Sequence, residues 1–157
     1  MAVLQDTYTS TMTAGYPGMV ANGEPSNRIS RTCEDVAGIP FGAPVYRGTG
    51  DHGCTAVVGT AATFLGFAIA DETQALLTGQ TADRYQQYDN VPIMTDGVIW
   101  NTVTNAIADG TAITIGKSGG AADAIGGTAA DATHIATNGW ISDDTLAATG
   151  LARLAKR

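Results

Sequence analysis

Val91-Pro92-Ile93-Met94-Thr95-Asp96-Gly97-Val98-Ile99-Trp100 is the stretch on which the fold class turns. Its two apolar runs carry β-branched and aromatic side chains that suit a pleated, half-buried surface. Between them stands Asp-Gly, which reaches the positive φ values of a tight two-residue turn at little cost. The stretch therefore predicts two strands joined as a hairpin. The same dipeptide chemistry recurs at Asp109-Gly110, ahead of Ala112-Ile113-Thr114-Ile115, and at Asn138-Gly139, ahead of Trp140-Ile141. Upstream, Val45-Tyr46-Arg47 follows the punctuation Pro40-Phe41-Gly42-Ala43-Pro44, and Phe64-Leu65-Gly66-Phe67-Ala68-Ile69 is a short apolar run. Short strands and turns at this spacing predict a mainly β chain: a single antiparallel β-sandwich, jelly-roll-like or barrel domain.

The largest apolar residues of these runs, Phe41, Phe64, Phe67, Ile69, Ile93, Ile99 and Trp100, are the expected core. They are few. Of 157 residues, 26 are Ala, 20 Gly and 22 Thr, so much of what the fold buries is methyl groups rather than large aliphatics. A core this thin leads us to expect an oligomer or a domain supported on a larger scaffold. Asp71 to Gln80 holds at most one short helix before Thr78-Gly79, and residues 116–132 read as a long Ala/Gly-rich loop.

Residues 1–35 differ from the rest. Thr7 to Gly18 is rich in β-branched and turn residues, Asn22 to Asn27 is dense in helix breakers, and no helical period survives. The expected organisation is an extended N-terminal arm over 1–35 followed by a β-domain over 36–157. The net charge of −7 argues against nucleic acid, because phosphate binding needs clustered Lys and Arg. Three of the eight cations, Arg153, Lys156 and Arg157, lie in the last five positions. No apolar run is long enough to span a bilayer, and the first residues lack the basic and apolar regions of a secretory signal, so neither a membrane nor export by that route is expected. Cys33 and Cys54 do not make a disulfide framework and are expected as thiols.

The chemical motifs are weak. Gly116-Lys117-Ser118 ends like a phosphate-binding loop, but the Gly required five positions earlier is Thr111. Asp51-His52-Gly53-Cys54 offers three metal ligands, with Cys33 and His134 isolated from it in sequence, short of the paired spacing of a structural zinc site. Gly116 to Gly120 matches Gly-x-Ser-x-Gly, with Asp123, Asp131 and His134 downstream, yet a nucleophile elbow needs a strand-to-helix turn that this β-patterned stretch does not offer. The adjacent carboxylates Glu34-Asp35 and Asp143-Asp144 would point to opposite faces of a strand and so cannot work as an acid/base pair. No enzyme activity, cofactor or metal is expected.

Val20-Ala21-Asn22-Gly23, Ser30-Arg31, Gly38-Ile39-Pro40-Phe41-Gly42 with Val45 and Gly48, and Ala62-Thr63-Phe64-Leu65-Gly66-Phe67-Ala68 together resemble the structural cement, or capsid decoration, proteins of tailed bacteriophages. Tyr85 to Met94, Gly97-Val98-Ile99-Trp100, Asp109-Gly110, Asn138-Gly139-Trp140 and Gly150 to Ala155 continue that order, so the resemblance covers about residues 15 to 155. It implies a virion structural protein on the outer capsid surface. Its implied partners are the major capsid protein, whose shell it strengthens against internal DNA pressure, and neighbouring copies of itself in a dimer or trimer. An extended arm suits that task, because strand addition supplies main-chain hydrogen bonds with little dependence on sequence. Tyr8, Tyr16, Arg28 and Arg31 are the candidate contacts, the two arginines being the arm's only cations. The alternative is a virion adhesive or receptor-binding β-module, which would present Tyr85, Tyr88 and Trp140 on its surface.

Overall fold

In the computed structural model the described residues are 15–73, 79–117 and 124–157. They form eleven strands: β1 (Asn27–Cys33), β2 (Ile39–Pro40), β3 (Pro44–Arg47), β4 (Gly53–Thr55), β5 (Phe64–Ala68), β6 (Arg84–Tyr85), β7 (Asn90–Val103), β8 (Ala112–Gly116), β9 (Ile125–Gly126), β10 (His134–Ser142) and β11 (Gly150–Lys156). Nine of them make one sheet in the order β1-β4-β3-β5-β7-β11-β10-β8-β9, and β2 pairs with β6 apart from it. Because β1 also pairs with β7, the first five strands of that order close into a ring. A ring of five strands cannot alternate direction all the way round. One parallel pair is forced, and it falls at β1–β4, where Thr32 lies opposite Gly53 and Cys33 opposite Cys54. The sheet is otherwise antiparallel.

Strand β7 belongs to both halves of the molecule. Its first part pairs with β1 and β5, and from Gly97 onward it pairs with β11. The expected hairpin at Asp96-Gly97 is therefore corrected: the dipeptide sits inside a continuous 14-residue strand, at the point where the partner changes. The register of β1 on β7 shifts beside it, between Asn27 and Arg28. Gly97 takes φ +127° against the Ser26 side chain, so the dihedral freedom read from the sequence is used to bend β7 out of the ring rather than to reverse it. Asn138-Gly139 departs in the same way. Both residues have positive φ, but they form a bulge within β10, where the six residues from Ala136 to Ile141 run opposite three on β8. Asp109-Gly110 is a true turn leading into β8.

Alternation along the strands separates two cores. Cys33, Val45, Cys54, Ala68, Val91 and Ile93 line the inside of the ring, joined by Ile39 and Tyr85 from the β2–β6 pair. Tyr46, Phe64, Phe67, Met94 and Ile99, which face the other way, meet Ile113, Ile115, Ile135, Trp140 and Leu154 of the second half. Phe67 packs edge-on against both Phe64 and Trp140, with centroids 5.5 and 5.0 Å apart. Of the expected core, Phe64, Phe67, Ile69, Ile93 and Ile99 are buried, Phe41 is partly buried against Tyr85, and Trp100 is a correction. Ile99 and Trp100 are neighbours on one strand and cannot face the same way. Trp100 lies half-exposed beneath the Arg153 guanidinium, and Trp140 takes the core position.

The arm expected over 1–35 also needs correction where it is described. Gly15 packs on the Trp100 ring, Val20 bridges to Ile99, and residues 27–33 are β1, an integral strand of the ring. β-Branched residues at this spacing find their hydrogen bonds inside the domain. Residues 1–14 lie outside the described residues, as do residues 74–78 of the stretch expected to hold a short helix. The loop expected over 116–132 contains β9, whose Ile125 carbonyl accepts bonds from the Thr104 backbone and hydroxyl and so folds the second half back toward β7.

Candidate functional site

No hydrogen bond or ion pair joins the three described candidate contact residues, Tyr16, Arg28 and Arg31, to one another. Tyr8 lies outside the described residues. Tyr16 borders a shallow cleft with Pro17, Pro40, Phe41 and Arg84, and partial desolvation followed by its hydrogen bond to Glu72 raises its phenol above the ordinary range. Arg31 is engaged internally: its Nη1 donates to the Asp51 carbonyl at 2.5 Å, tying β1 to the turn before β4. Arg28 is exposed on β1, with Nε donating to the Ser26 hydroxyl at 3.1 Å and no carboxylate partner among the described residues.

β1 itself carries an open edge. Cys33 donates its N–H to Asp89 on the β7 side, whereas Thr32 donates to His52 on the β4 side. By the two-residue period, Arg28 and Ser30 also turn their backbone groups toward the β4 side. Among the described residues β4 pairs only with Thr32 and Cys33, so within them the first half of β1 has no strand neighbour on that side, beside the Arg28 guanidinium. Such an edge accepts an added strand.

The cations near the C-terminus are held by acids. Arg153 makes a paired contact with the Asp144 carboxylate and donates its backbone N–H to it at 2.8 Å. Those bonds hold the Asp144 carboxyl below the usual carboxylate range. Arg157 joins Glu24 and Asp143, both at 3.0 Å, and Lys156 meets Asp96 at 3.2 Å. Positive charge at the end of the sequence therefore clamps β11 to its neighbours.

The β1–β4 pairing sets Cys33 opposite Cys54. Cys54 is buried, its thiol pushed up to about 12 first by burial, and Cys33 shifts the same way; both are free thiols, and a raised pKa makes them poor nucleophiles. Among the described residues no three of His, Cys, Asp and Glu gather as a metal site. Asp131 is held down to about 2, chiefly by the hydroxyl and N–H of Thr133 with help from His134, in a turn that starts β10. Ser118 and Asp123 lie outside the described residues.

Comparison with known proteins decides the family. Residues 4–156 match the family described as structural cement protein. The chain belongs to the structural cement protein family. It also shares its fold, at 12% identity and a TM-score of 0.68, with a chain from the capsid of the myovirus XM1, the match covering 98% of this chain and 97% of that one. None of the curated proteins matches. Family membership makes this a structural protein of the phage virion, located on the capsid, and a cement protein of this kind associates with the proteins of the shell. Among the described residues no helix is long and apolar enough to cross a membrane.

The aromatic residues that would have served an adhesive are mostly withdrawn in this cement protein. Tyr85 is fully buried, its hydroxyl donating to the Ile69 carbonyl, and Trp140 is 1% exposed behind Phe67. Tyr88 alone of the three reaches solvent. Burial of Trp140 was not legible in composition; the bulge at Asn138-Gly139, which redirects it, is the signal that was present.

Proposed function

We propose that this cement protein decorates the phage capsid by binding the outer surface of the major capsid protein shell, bridging subunits so that they resist internal pressure together. The observation that carries the reading is the family match across almost the whole chain. The physical features agree with it. Among the described residues the first half of β1, which has no strand neighbour on the β4 side, suits main-chain pairing together with one charge-assisted contact from Arg28. Tyr8 and Tyr16, the latter beside its cleft, are further candidate contacts in this reading. Neighbouring copies, as a dimer or trimer, add avidity on a repeating shell. Nucleic acid has no part in this reading, since the net charge is −7 and Arg31, Arg153, Lys156 and Arg157 are already engaged.

The test is co-sedimentation with capsids lacking the cement protein. Intact protein is expected to pellet with them, and a chain lacking residues 2–14 or carrying Arg28→Ala to pellet less at equal stability. Equal binding by both variants would remove this segment from the interface, and failure of intact protein to pellet would remove the function.

A further inference from the structure

Four large apolar side chains stand exposed among the described residues, and three of them share one end of the ring. Val36 is 85%, Val57 71% and Tyr88 76% exposed. Because β1 runs parallel to β4 and antiparallel to β7, the ends of β1 and β4 and the start of β7 meet there. The three turns are stitched together. Asp35 accepts from the Thr55 hydroxyl and the Ala56 N–H, both at 2.6 Å, which brings Val36 and Val57 together; the Val57 N–H in turn donates to Thr55. Tyr88 donates its N–H to the Cys33 carbonyl at 2.8 Å, and Gln87 reaches the Glu34 carbonyl at 3.2 Å. Asp89 completes the set by accepting the Gln86 N–H. The side chains are thus presented on rigid backbone, with little ordering left to lose on binding.

Tyr88 adds an independent sign. Three described non-glycine residues have positive φ; two are Asp83 and Asn138, whose types tolerate it, and the third is Tyr88 at +72°. A bulky residue held in that conformation while its ring lies in solvent contributes strain without packing. Strain of this kind gathers where a surface has work to do.

Resting on the capsid-decoration reading, we infer that the rim of Val36, Val57 and Tyr88 is an apolar foot that docks on an uncharged, apolar patch of the capsid shell. The occupant follows from area and charge. The three side chains expose on the order of 400 Å², about half of the roughly 800 Å² per partner that a stable two-body complex needs. The rim is therefore too small to hold a second copy alone, but it suffices as one contact among many on a repeating shell. The charged groups around the rim are tied to neighbouring backbone rather than free to pair with a partner: Glu34 accepts from the Gly50 N–H, Asp35 from Ala56 and Asp89 from Gln86, and Arg84 donates to the Ala37 carbonyl.

The experiment compares the full chain with a Val36→Asp, Val57→Asp, Tyr88→Asn variant and with Tyr88→Asn alone, by sedimentation with cement-free capsids, thermal melting and light-scattering mass. Asn tolerates the left-handed backbone at 88, so melting is expected to stay level or rise while shell affinity falls, about tenfold or more for the triple variant. Wild-type protein that pellets alongside a triple variant binding within twofold of it overturns the foot and leaves the decoration reading standing. A triple variant that changes oligomeric mass reassigns the rim to self-contact and overturns the shell as occupant. Should the triple variant melt early, Tyr88→Asn decides, with wild-type affinity counting against the foot. Wild-type protein that does not pellet overturns the decoration reading and the foot with it.

Discussion

The two halves that share β7 solve the problem of a thin core differently. The ring of β1, β4, β3, β5 and β7 is narrow and filled largely by small side chains, Cys33, Cys54, Val45, Val91 and Ala68, with Ile93, Ile39 and Tyr85 as its bulkiest members. The second half, from Gly97 through β11, β10, β8 and β9, places its aliphatic residues and Trp140 against the outside of the ring. A chain rich in Ala, Gly and Thr can therefore still fold well. Closure lets a few small residues exclude water, and the scarce large ones concentrate where the halves meet.

This division orders the expected effects. Phe67→Ala, at the joint between the halves and against two aromatic rings, should cost about 3 to 5 kcal/mol in urea unfolding. A loss below about 1 kcal/mol would mean the halves are not held together there. Val45→Ala, inside the ring, should cost about 2 kcal/mol, because it removes fewer atoms from a site whose closed wall cannot collapse. A larger loss than at Phe67 would reverse the comparison.

Electrostatics should act mainly on the second half. Asp144 is held below its ordinary pKa, first by its side-chain bonds with Arg153, so its contribution is complete above the unfolded carboxylate range and is lost as pH falls through the lowered folded value. Asp144→Asn should cost about 1 to 2 kcal/mol at neutral pH and flatten the acid limb of the stability profile; an unchanged limb would show that the clamp contributes nothing. The smallest effect belongs to Val57→Ala. Its side chain is largely in water, and the free energy of unfolding from denaturant titration should change by less than about 0.5 kcal/mol.

The fold class was legible because the short apolar runs Phe64 to Ile69 and Val91 to Met94, bounded by turn residues, suit a pleated surface. Topology was not. Asp96-Gly97 and Asn138-Gly139 encode a backbone dihedral, and the same dihedral serves a reversal, a bend or a bulge according to which partner strands are near. Which strands are near depends on ring closure, a contact between residues about 60 apart such as Ser30 and Asn90. Trp100 was readable in principle, since its parity opposes that of Ile99. The functional surface was the least legible part: Arg31 looks free in sequence but is tied to Asp51, while Val36, Val57 and Tyr88 are isolated apolar residues in turn sequences, and only the fold brings them to one rim.

The most direct test of the account is a cryo-EM reconstruction of capsids decorated with this protein in vitro. The account predicts density for the two-part β-fold on the outer surface of the shell, in contact with the major capsid protein. Ordered density elsewhere on the particle, or undecorated shells at saturating protein, would contradict it.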